Sequence, residues 1–173
     1  MNDMEKAGTI LTETEEDLQD HQYLTFLLED EMFAVGVLEI REIIEYAMIT
    51  KVPSMSDYIK GITNVRGNVI PEIDLPGRLG FNPIKIGKKT CIIIVEVNLE
   101  NTTLEIGLLV DSVNQVYEIL PQMIEEKPSF GAKIRKDFIA KMGKIEDSFI
   151  VILNLERVLN VEELSVVTTK NKL

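Results

Sequence analysis

Two short segments that are apolar at every position constrain this chain more than any other feature. "CIIIV" occupies residues 91–95 and "FIVIL" occupies residues 149–153. A strand with one face in water alternates polar and apolar residues, so an unbroken apolar strand is expected to be buried on both faces. A chain of 173 residues can hold one large core or two small ones. We therefore expect two β units that pack against each other along these strands.

Apolar runs joined by short polar turns predict a series of hairpins. The segment "QYLTFLLEDEMFAVGV" turns at residues 29–31, and "FIAKMGKIEDSFIVILNL" turns at Glu146 and Asp147. In "GITNVRGNVIPEIDL", residues 61–75, we expect Gly67 and Asn68 to form a two-residue turn, since both tolerate positive φ. Pro71 cannot donate to a sheet ladder, which predicts an edge strand or a bulge.

A weak internal repeat predicts two similar β units. "IPEIDLPGRLG" from Ile70 aligns without gaps on "IVILNLERVLN" from Ile150, and "FAVGV" from Phe33 aligns on "LEIGL" from Leu104. Two matches in the same order indicate an internal duplication. Each unit would have about five short strands, which suits a small barrel because closure removes exposed edges. The fold class is therefore predicted to be all-β, with a linker at residues 80–90.

Composition and charge set the outer limits of the fold and of its partners. Residues 1–21 are acidic and lack periodicity, which predicts a flexible N-terminal tail, followed by a folded domain at 22–164 and a C-terminal tail at 165–173. No apolar run approaches the ~20 residues that span a bilayer, and no secretory signal begins the sequence, so we expect a cytoplasmic protein without direct membrane insertion. The net charge of −11 argues against nucleic acid as a partner.

Few residues suggest catalysis. The one histidine, His21, falls in the predicted tail, so neither a zinc site nor a histidine-based triad is expected in the folded part. Cys91 is interpreted as a buried small hydrophobe. Glu72 and Asp74 lie on the same side of a strand, as the paired carboxylates of a hydrolase would, although two solvated acids at a sheet edge is the favoured interpretation. We expect no cofactor and no metal, and a protein that acts by binding other proteins.

Several segments together identify a family resemblance. "VLEIREI", "VPSMSDYIKGITNVRGNVIPEIDL", "GLLVDSVNQV" and "FIVILNLERVLN" resemble, in order and spacing, the CheW-like chemotaxis coupling proteins from Gln22 to about Leu164. The resemblance implies two five-stranded SH3-like β-barrels packed together, with short helices. It also implies a non-enzymatic adaptor that links the cytoplasmic tips of methyl-accepting chemoreceptors to the regulatory domain of the histidine kinase CheA, in arrays at the inner membrane. The alternative within this class is a paralogue that serves another array, such as one controlling surface motility.

The resemblance also implies two sets of binding positions. The receptor-binding set, which lies in or beside an apolar groove between the barrels, is Ile40, Ile43, Arg66, Cys91 and Val116. The kinase-binding set is Glu42, Gly61, Gly67 and Asn68. Simple core packing remains the alternative role for Ile40, Cys91 and Val116, and a turn requirement remains the alternative for the two glycines. An ion pair between Glu42 and Arg66 is expected, and Glu72 departs from the apolar residue usual in the family.

Overall fold

A computed structural model describes residues 19–47, 49–51, 53, 57–99, 102–125 and 134–160. The strands in these ranges are β1 (Gln22–Leu28), β2 (Glu31–Gly36), β3 (Ile40–Glu45), β4 (Ile59–Val65), β5 (Asn68–Asp74), β6 (Cys91–Leu99), β7 (Thr102–Val110), β8 (Ser112–Glu118), β9 (Ile124–Glu125), β10 (Ile139–Ile145) and β11 (Ser148–Leu153). The helices are α1 (Leu75–Arg78) and α2 (Leu155–Val158), and single 3₁₀ turns cover Val37–Glu39, Pro121–Met123 and Lys136–Phe138. The all-β prediction is confirmed.

Most of the predicted N-terminal tail and the whole predicted C-terminal tail lie outside the described residues. At the N-terminal boundary, the carbonyl of His21 accepts a hydrogen bond from the Ile119 amide over 2.7 Å. Residues 80–90, the predicted linker, contain neither helix nor strand. The Phe81 ring nevertheless packs edge-on against Phe33, with ring centroids 5.9 Å apart. The linker is therefore fixed against the folded core at its start.

The strands form two sheets, one per barrel. The six-stranded sheet has the order β8-β1-β2-β11-β10-β9, and the five-stranded sheet has the order β3-β6-β7-β5-β4. Five strands were predicted for each barrel, and the sixth strand of the larger sheet is the two-residue β9. Among the described strands, β2 pairs with β11 and β5 pairs with β7 in parallel, while the other pairings are antiparallel.

The two sequence repeats do not correspond to the two barrels, because each barrel is built from both. The hairpin β1–β2 belongs to the six-stranded sheet, while β3, β4 and β5 of the same repeat belong to the five-stranded sheet. The second repeat does the reverse, since β6 and β7 complete the five-stranded sheet and β8 to β11 complete the other. Each barrel thus takes a hairpin from one repeat and its remaining strands from the other repeat. Neither half of the chain contains a complete barrel.

The aligned segments "IPEIDLPGRLG" and "IVILNLERVLN" have the same structure, a strand followed by a one-turn helix. Asp74 caps α1 by accepting a hydrogen bond from the Gly77 amide, and Asn154 caps α2 by accepting one from the Arg157 amide. Aspartate and asparagine are both favoured at this position because their side-chain oxygens satisfy a free amide of the first turn. The predicted equivalence of these two segments is therefore confirmed.

The two fully apolar strands bury both faces, as predicted. On β6, Ile93 and Val95 join the large core between the sheets, whereas Ile92 and Ile94 join the interior of the five-stranded barrel. On β11, Leu153 joins the same central core, and Ile150 and Ile152 lie in the interior of the six-stranded barrel. Phe149 is the exception, since it is about half exposed. These strands hold the two barrels together.

Gly61 generates the first testable prediction. It lies inside β4, at a shift in the pairing with β5, and not in a turn. A Cβ atom there would overlap the side chain of Ile49 and the Thr50 carbonyl group, whose carbon would be only 2.9 Å away. We expect Gly61→Ala to destabilise the fold by about 1–3 kcal/mol through overpacking against backbone. Gly87→Ala is the control, because nothing lies within 4 Å of its Cβ position.

Thermal unfolding of the two variants provides the measurement. Gly87→Ala should unfold within about 0.5 kcal/mol of the parent protein, as most surface substitutions do. Equal midpoints for both variants would contradict the close packing at Gly61. If Gly61→Ala is destabilised as expected, a loss of partner binding in that variant would reflect a damaged fold and not the loss of a binding contact.

Candidate docking surface

The two outer strands of the five-stranded sheet meet through one ion pair. β3 and β4 are the opposite edges of this sheet. Arg66 Nη2, at the end of β4, lies 2.6 Å from Glu42 Oε1 on β3. The contact links the two edges of the sheet, and we call the line where they meet the seam. The predicted ion pair is confirmed, and it gives Arg66 a structural role.

The seam hairpin turns one residue earlier than predicted. Val65 pairs with Asn68, so the turn residues are Arg66 and Gly67, and Asn68 is the first residue of β5. Arg66 has φ of 54° and Gly67 has φ of 86°. Asn64 favours this register, because its Oδ1 accepts the Gly67 amide over 2.9 Å. Arginine is uncommon at positive φ, so the backbone of Arg66 carries some strain at this position beside the seam.

A single row of paired residues crosses the five-stranded sheet. Glu42 lies opposite Ile94, Ile94 opposite Gly107, Gly107 opposite Glu72, and Glu72 opposite Gly61. Paired residues of neighbouring strands share a face of the sheet. The row therefore begins at Glu42 on one edge and ends at Gly61 on the other, both of which are predicted kinase-binding positions.

Two bulged edge strands carry Ile40, Ile43 and Val116 of the predicted receptor groove, while Cys91 begins the neighbouring strand β6. On β3, Ile40 and Ile43 lie opposite Val95 and Ile93, and the pairing shifts between Ile40 and Glu42. The bulge places two apolar residues three positions apart on one face, where a regular strand would place them on opposite faces. That face is the one on which β6 contributes to the core between the sheets.

Edge strand β8 of the six-stranded sheet has the same arrangement. Val113 and Val116 lie opposite Phe26 and Leu24, which both belong to the core between the sheets, and the pairing shifts between them. Val113 was not predicted as a site residue. The spacing in "IREI" and "VNQV" is the sequence signal for it, since both segments place apolar residues at i and i+3.

Exposure separates these residues into accessible and core-packed members. Ile43 and Val116 are about half exposed. Ile40, Cys91 and Val113 are half-buried and pack against the core between the sheets. Cys91 is less buried than predicted, and its thiol donates to the Lys89 carbonyl over 3.3 Å. The edge strands β3 and β8 thus each present an accessible apolar side chain beside a residue that packs against the core.

The prediction that Glu72 and Asp74 are solvated acids at a sheet edge is wrong. β5 lies between β7 and β4, so it is an inner strand, and both acids are buried. Pro71 is accommodated because the pairing with β7 begins only at Glu72. Asp74 is well satisfied, since its Oδ1 accepts the amides of Gly77 and Ile84 and its Oδ2 lies 3.6 Å from Lys60 Nζ.

Glu72 is buried without such partners. Its relative exposure is 0%, and neither carboxyl oxygen has a hydrogen-bond partner among the described residues; the same holds for the buried Thr63 hydroxyl. Burial raises the pKa of Glu72 from its ordinary 4.5 to about 7, and the nearby Thr63 hydroxyl opposes this rise. The carboxyl group is therefore substantially protonated near neutral pH. Because it is enclosed, it has no access to a substrate, and the hydrolase alternative loses its support.

Gly107 leaves the space that Glu72 fills. A Cβ atom on Gly107 would overlap the carboxyl group of Glu72, with Oε1 at 2.8 Å and the other two atoms closer.

Within the described ranges, no cluster of three or more potential metal ligands was found. In the same part of the chain, no helix is long and apolar enough to cross a bilayer.

Comparisons with known proteins agree with this architecture. A family model described as the CheW-like domain matches residues 22–163. The chain is 30% identical over 139 residues to the chemotaxis protein CheW of Bacillus subtilis, covering 80% of this chain and 86% of that protein. It is 25% identical over 146 residues to the chemotaxis protein CheW of Klebsiella aerogenes, covering 84% and 86%.

A solved structure is also similar. The crystal structure of the scaffolding protein TtCheW from Thermoanaerobacter tengcongensis matches with a TM-score of 0.72 and 32% identity, covering 80% of this chain and 92% of that one. The family match spans both barrels and every strand of the apolar edges and the seam. The chain therefore belongs to the CheW-like family.

Proposed function

We propose that this chain is a chemotaxis adaptor that couples methyl-accepting chemoreceptors to the histidine kinase CheA and performs no catalysis itself. The observation that carries the proposal is the pair of bulged edge strands, each of which turns two apolar residues toward the region between the barrels. Family membership supplies the class of partner. The adaptor would act in the cytoplasm, at receptor arrays on the inner membrane.

The apolar edge strands suit a helical partner. An amphipathic helix binds a groove through apolar anchors at i, i+3, i+4 and i+7 on one face. Ile43 and Val116 are exposed enough to receive such anchors. Ile40, Cys91 and Val113, which pack against the core between the sheets, would form the floor of the binding surface. We assign this surface to the receptor tip, with Arg66 at its margin.

The seam suits a second protein partner. Gly67 and Asn68 are exposed at the hairpin, and Glu42 is held beside them by Arg66. Gly61 is buried, so it would contribute by allowing β4 to lie close to Thr50 and not by contact. We assign this surface to the regulatory domain of CheA. Truncating one charge of an exposed pair is expected to alter docking more than folding.

The receptor surface is tested by charge insertion. We expect Ile43→Glu and Val116→Glu to weaken co-sedimentation with receptor-containing membranes by about tenfold or more, because each places an unpaired charge in an apolar contact. Ile86→Glu is the matched control, since Ile86 is comparably exposed but lies in the linker. Equal sedimentation of all three variants would remove these residues from the receptor surface.

Arg66 is tested by separating its two roles. Arg66→Ala should shift the unfolding midpoint by no more than about 4 °C, because an exposed ion pair contributes only ~0–1 kcal/mol. Arg66→Asn should be at least as stable as Arg66→Ala, since asparagine tolerates positive φ better. Both should bind CheA or receptor less well. A folded Arg66→Ala protein with full affinity for both partners would exclude Arg66 from the docking surface.

A charge exchange supplies the control for the seam itself. The double variant Glu42→Arg with Arg66→Glu can re-form the ion pair while reversing the charges that a partner meets. We expect its thermal midpoint to lie close to that of the parent protein and its binding to CheA to remain weak. CheA binding equal to that of the parent protein would mean that the partner requires an intact seam and does not depend on which residue carries which charge.

A further inference from the structure

The five-stranded barrel contains a buried acid that no part of the proposed function uses. Glu72 lies in the middle of the row that runs from Glu42 to Gly61. We propose that Glu72 makes closure of this barrel depend on pH: the carboxylic acid packs inside, and ionisation loosens edge strand β4 and the seam that it forms. We further infer that docking at the seam weakens as Glu72 loses its proton, an inference that rests on the proposed function.

The geometry makes the ionised form costly. A buried carboxylate is stabilised by hydrogen bonds or by a cation. In the closed barrel neither carboxyl oxygen of Glu72 has a partner at hydrogen-bond geometry or exposure to water, and the nearby Thr63 hydroxyl offsets only part of the cost of a charge there. On one side its carboxyl group contacts the backbone at Gly107. On the other side it lies opposite the bulge at Gly61. The neutral acid fits this site without the desolvation cost that the carboxylate would carry.

The charged groups that share this face are already paired. Asp74, two residues further along β5, contacts Lys60. Glu96 and Glu105 lie two residues from Ile94 and Gly107, and Arg41 contacts both, at 3.3 and 3.6 Å. Glu42, at the end of the row, contacts Arg66. None of these pairs supplies a counter-ion to Glu72, so its own proton is what neutralises the carboxyl group.

Strand β4 is the edge strand that pairs directly with Glu72. It is the outermost strand beside β5, and beyond β5 its described pairing is a single bridge between Thr50 and Ile62. Displacing β4 would admit water to Glu72 without disturbing the central pairing of β6 with β7. Because β4 ends at the seam turn, the same displacement would move Arg66 relative to Glu42. Local opening of this kind is common at strands with few neighbours.

The direction of the pH effect follows from the raised pKa. The unfolded chain releases the Glu72 proton near 4.5, whereas the folded chain holds it to about 7. The contribution of Glu72 to stability is therefore most favourable at or below pH 4.5 and declines as the pH rises to about 7. Above that pH the cost stays constant, since both states are ionised.

Glu72→Gln tests the proposal because glutamine matches the neutral acid in shape. We would measure unfolding midpoints from pH 5.5 to 8.5 in a His21→Gln background, which removes the one histidine of the chain. The midpoint of Glu72→Gln relative to the parent should rise by about 5 °C across this range. The matched control is Glu125→Gln, an exposed glutamate on β9, whose profile should run parallel to the parent. Parallel profiles for Glu72→Gln would overturn the proposal.

Two measurements on the unsubstituted protein complete the test, so that a poorly folded variant would not obscure the result. A carboxyl carbon NMR titration should place the Glu72 midpoint well above those of exposed glutamates, and a midpoint below 5 would refute the idea. Amide exchange corrected for intrinsic pH dependence should accelerate in β4 but not in β6 between pH 6 and 8.5. Equal protection changes in both strands would argue against local opening.

Binding is measured separately. CheA affinity of the parent should fall across the same pH range by about threefold or more relative to Glu72→Gln, as expected for a conformation whose population changes. If no CheA binding occurs at any pH, the proposed function fails while the stability and exchange results still stand. If CheA binds equally at every pH, closure is not coupled to docking.

Discussion

The burial of both faces of β6 is the constraint on which the rest of this structure depends. Its residues alternate between the core that joins the sheets and the interior of one barrel, so β6 needs apolar partners on both sides. Neither repeat can supply them alone, because each contributes a hairpin to one barrel and the remaining strands to the other. The two barrels are consequently interlaced, and neither would be complete if the chain were divided at the linker.

The interlacing also creates the apolar edges. β3 and β8 each connect the two barrels along the chain, and each becomes the outer strand of its sheet beside the central core. A regular outer strand would direct alternate residues to solvent and core. The bulge in each strand instead brings two apolar residues three apart onto the core side. The two edges are similar in this respect, and together they provide apolar side chains from both barrels.

Local signals predicted most of this fold, and non-local pairing decided the rest. The hairpins and the doubly buried strands follow from patterns within a few residues. The burial of Glu72 does not, because "PEID" alternates like a half-exposed strand and its partner Gly107 lies more than thirty residues away. The seam turn was misplaced by one residue because its register depends on Asn64 as well as on glycine. For the docking positions, the resemblance predicted residues, while the bulges that align them are visible only in the pairing.

The register of β5 explains why a glutamate occupies the barrel at all. In the sequence repeat, Glu72 aligns with Ile152 and Glu105 aligns with Ala34. Ile152 lies opposite Ala34 in the six-stranded barrel, so the same register would place Glu72 opposite Glu105. Glu72 instead lies opposite Gly107, two residues further on. A shift of two residues keeps each side chain on its face but exchanges its neighbours. Gly107 thereby leaves room for a longer side chain than the repeat would otherwise admit. An apolar residue of similar size would fill that room without a desolvation cost, so packing alone does not account for a carboxyl group there. What distinguishes glutamate from leucine at this site is that it can gain or lose a proton. Its carboxyl group lies in the row of paired residues that ends at Glu42 on one edge of the seam and at Gly61 on the other.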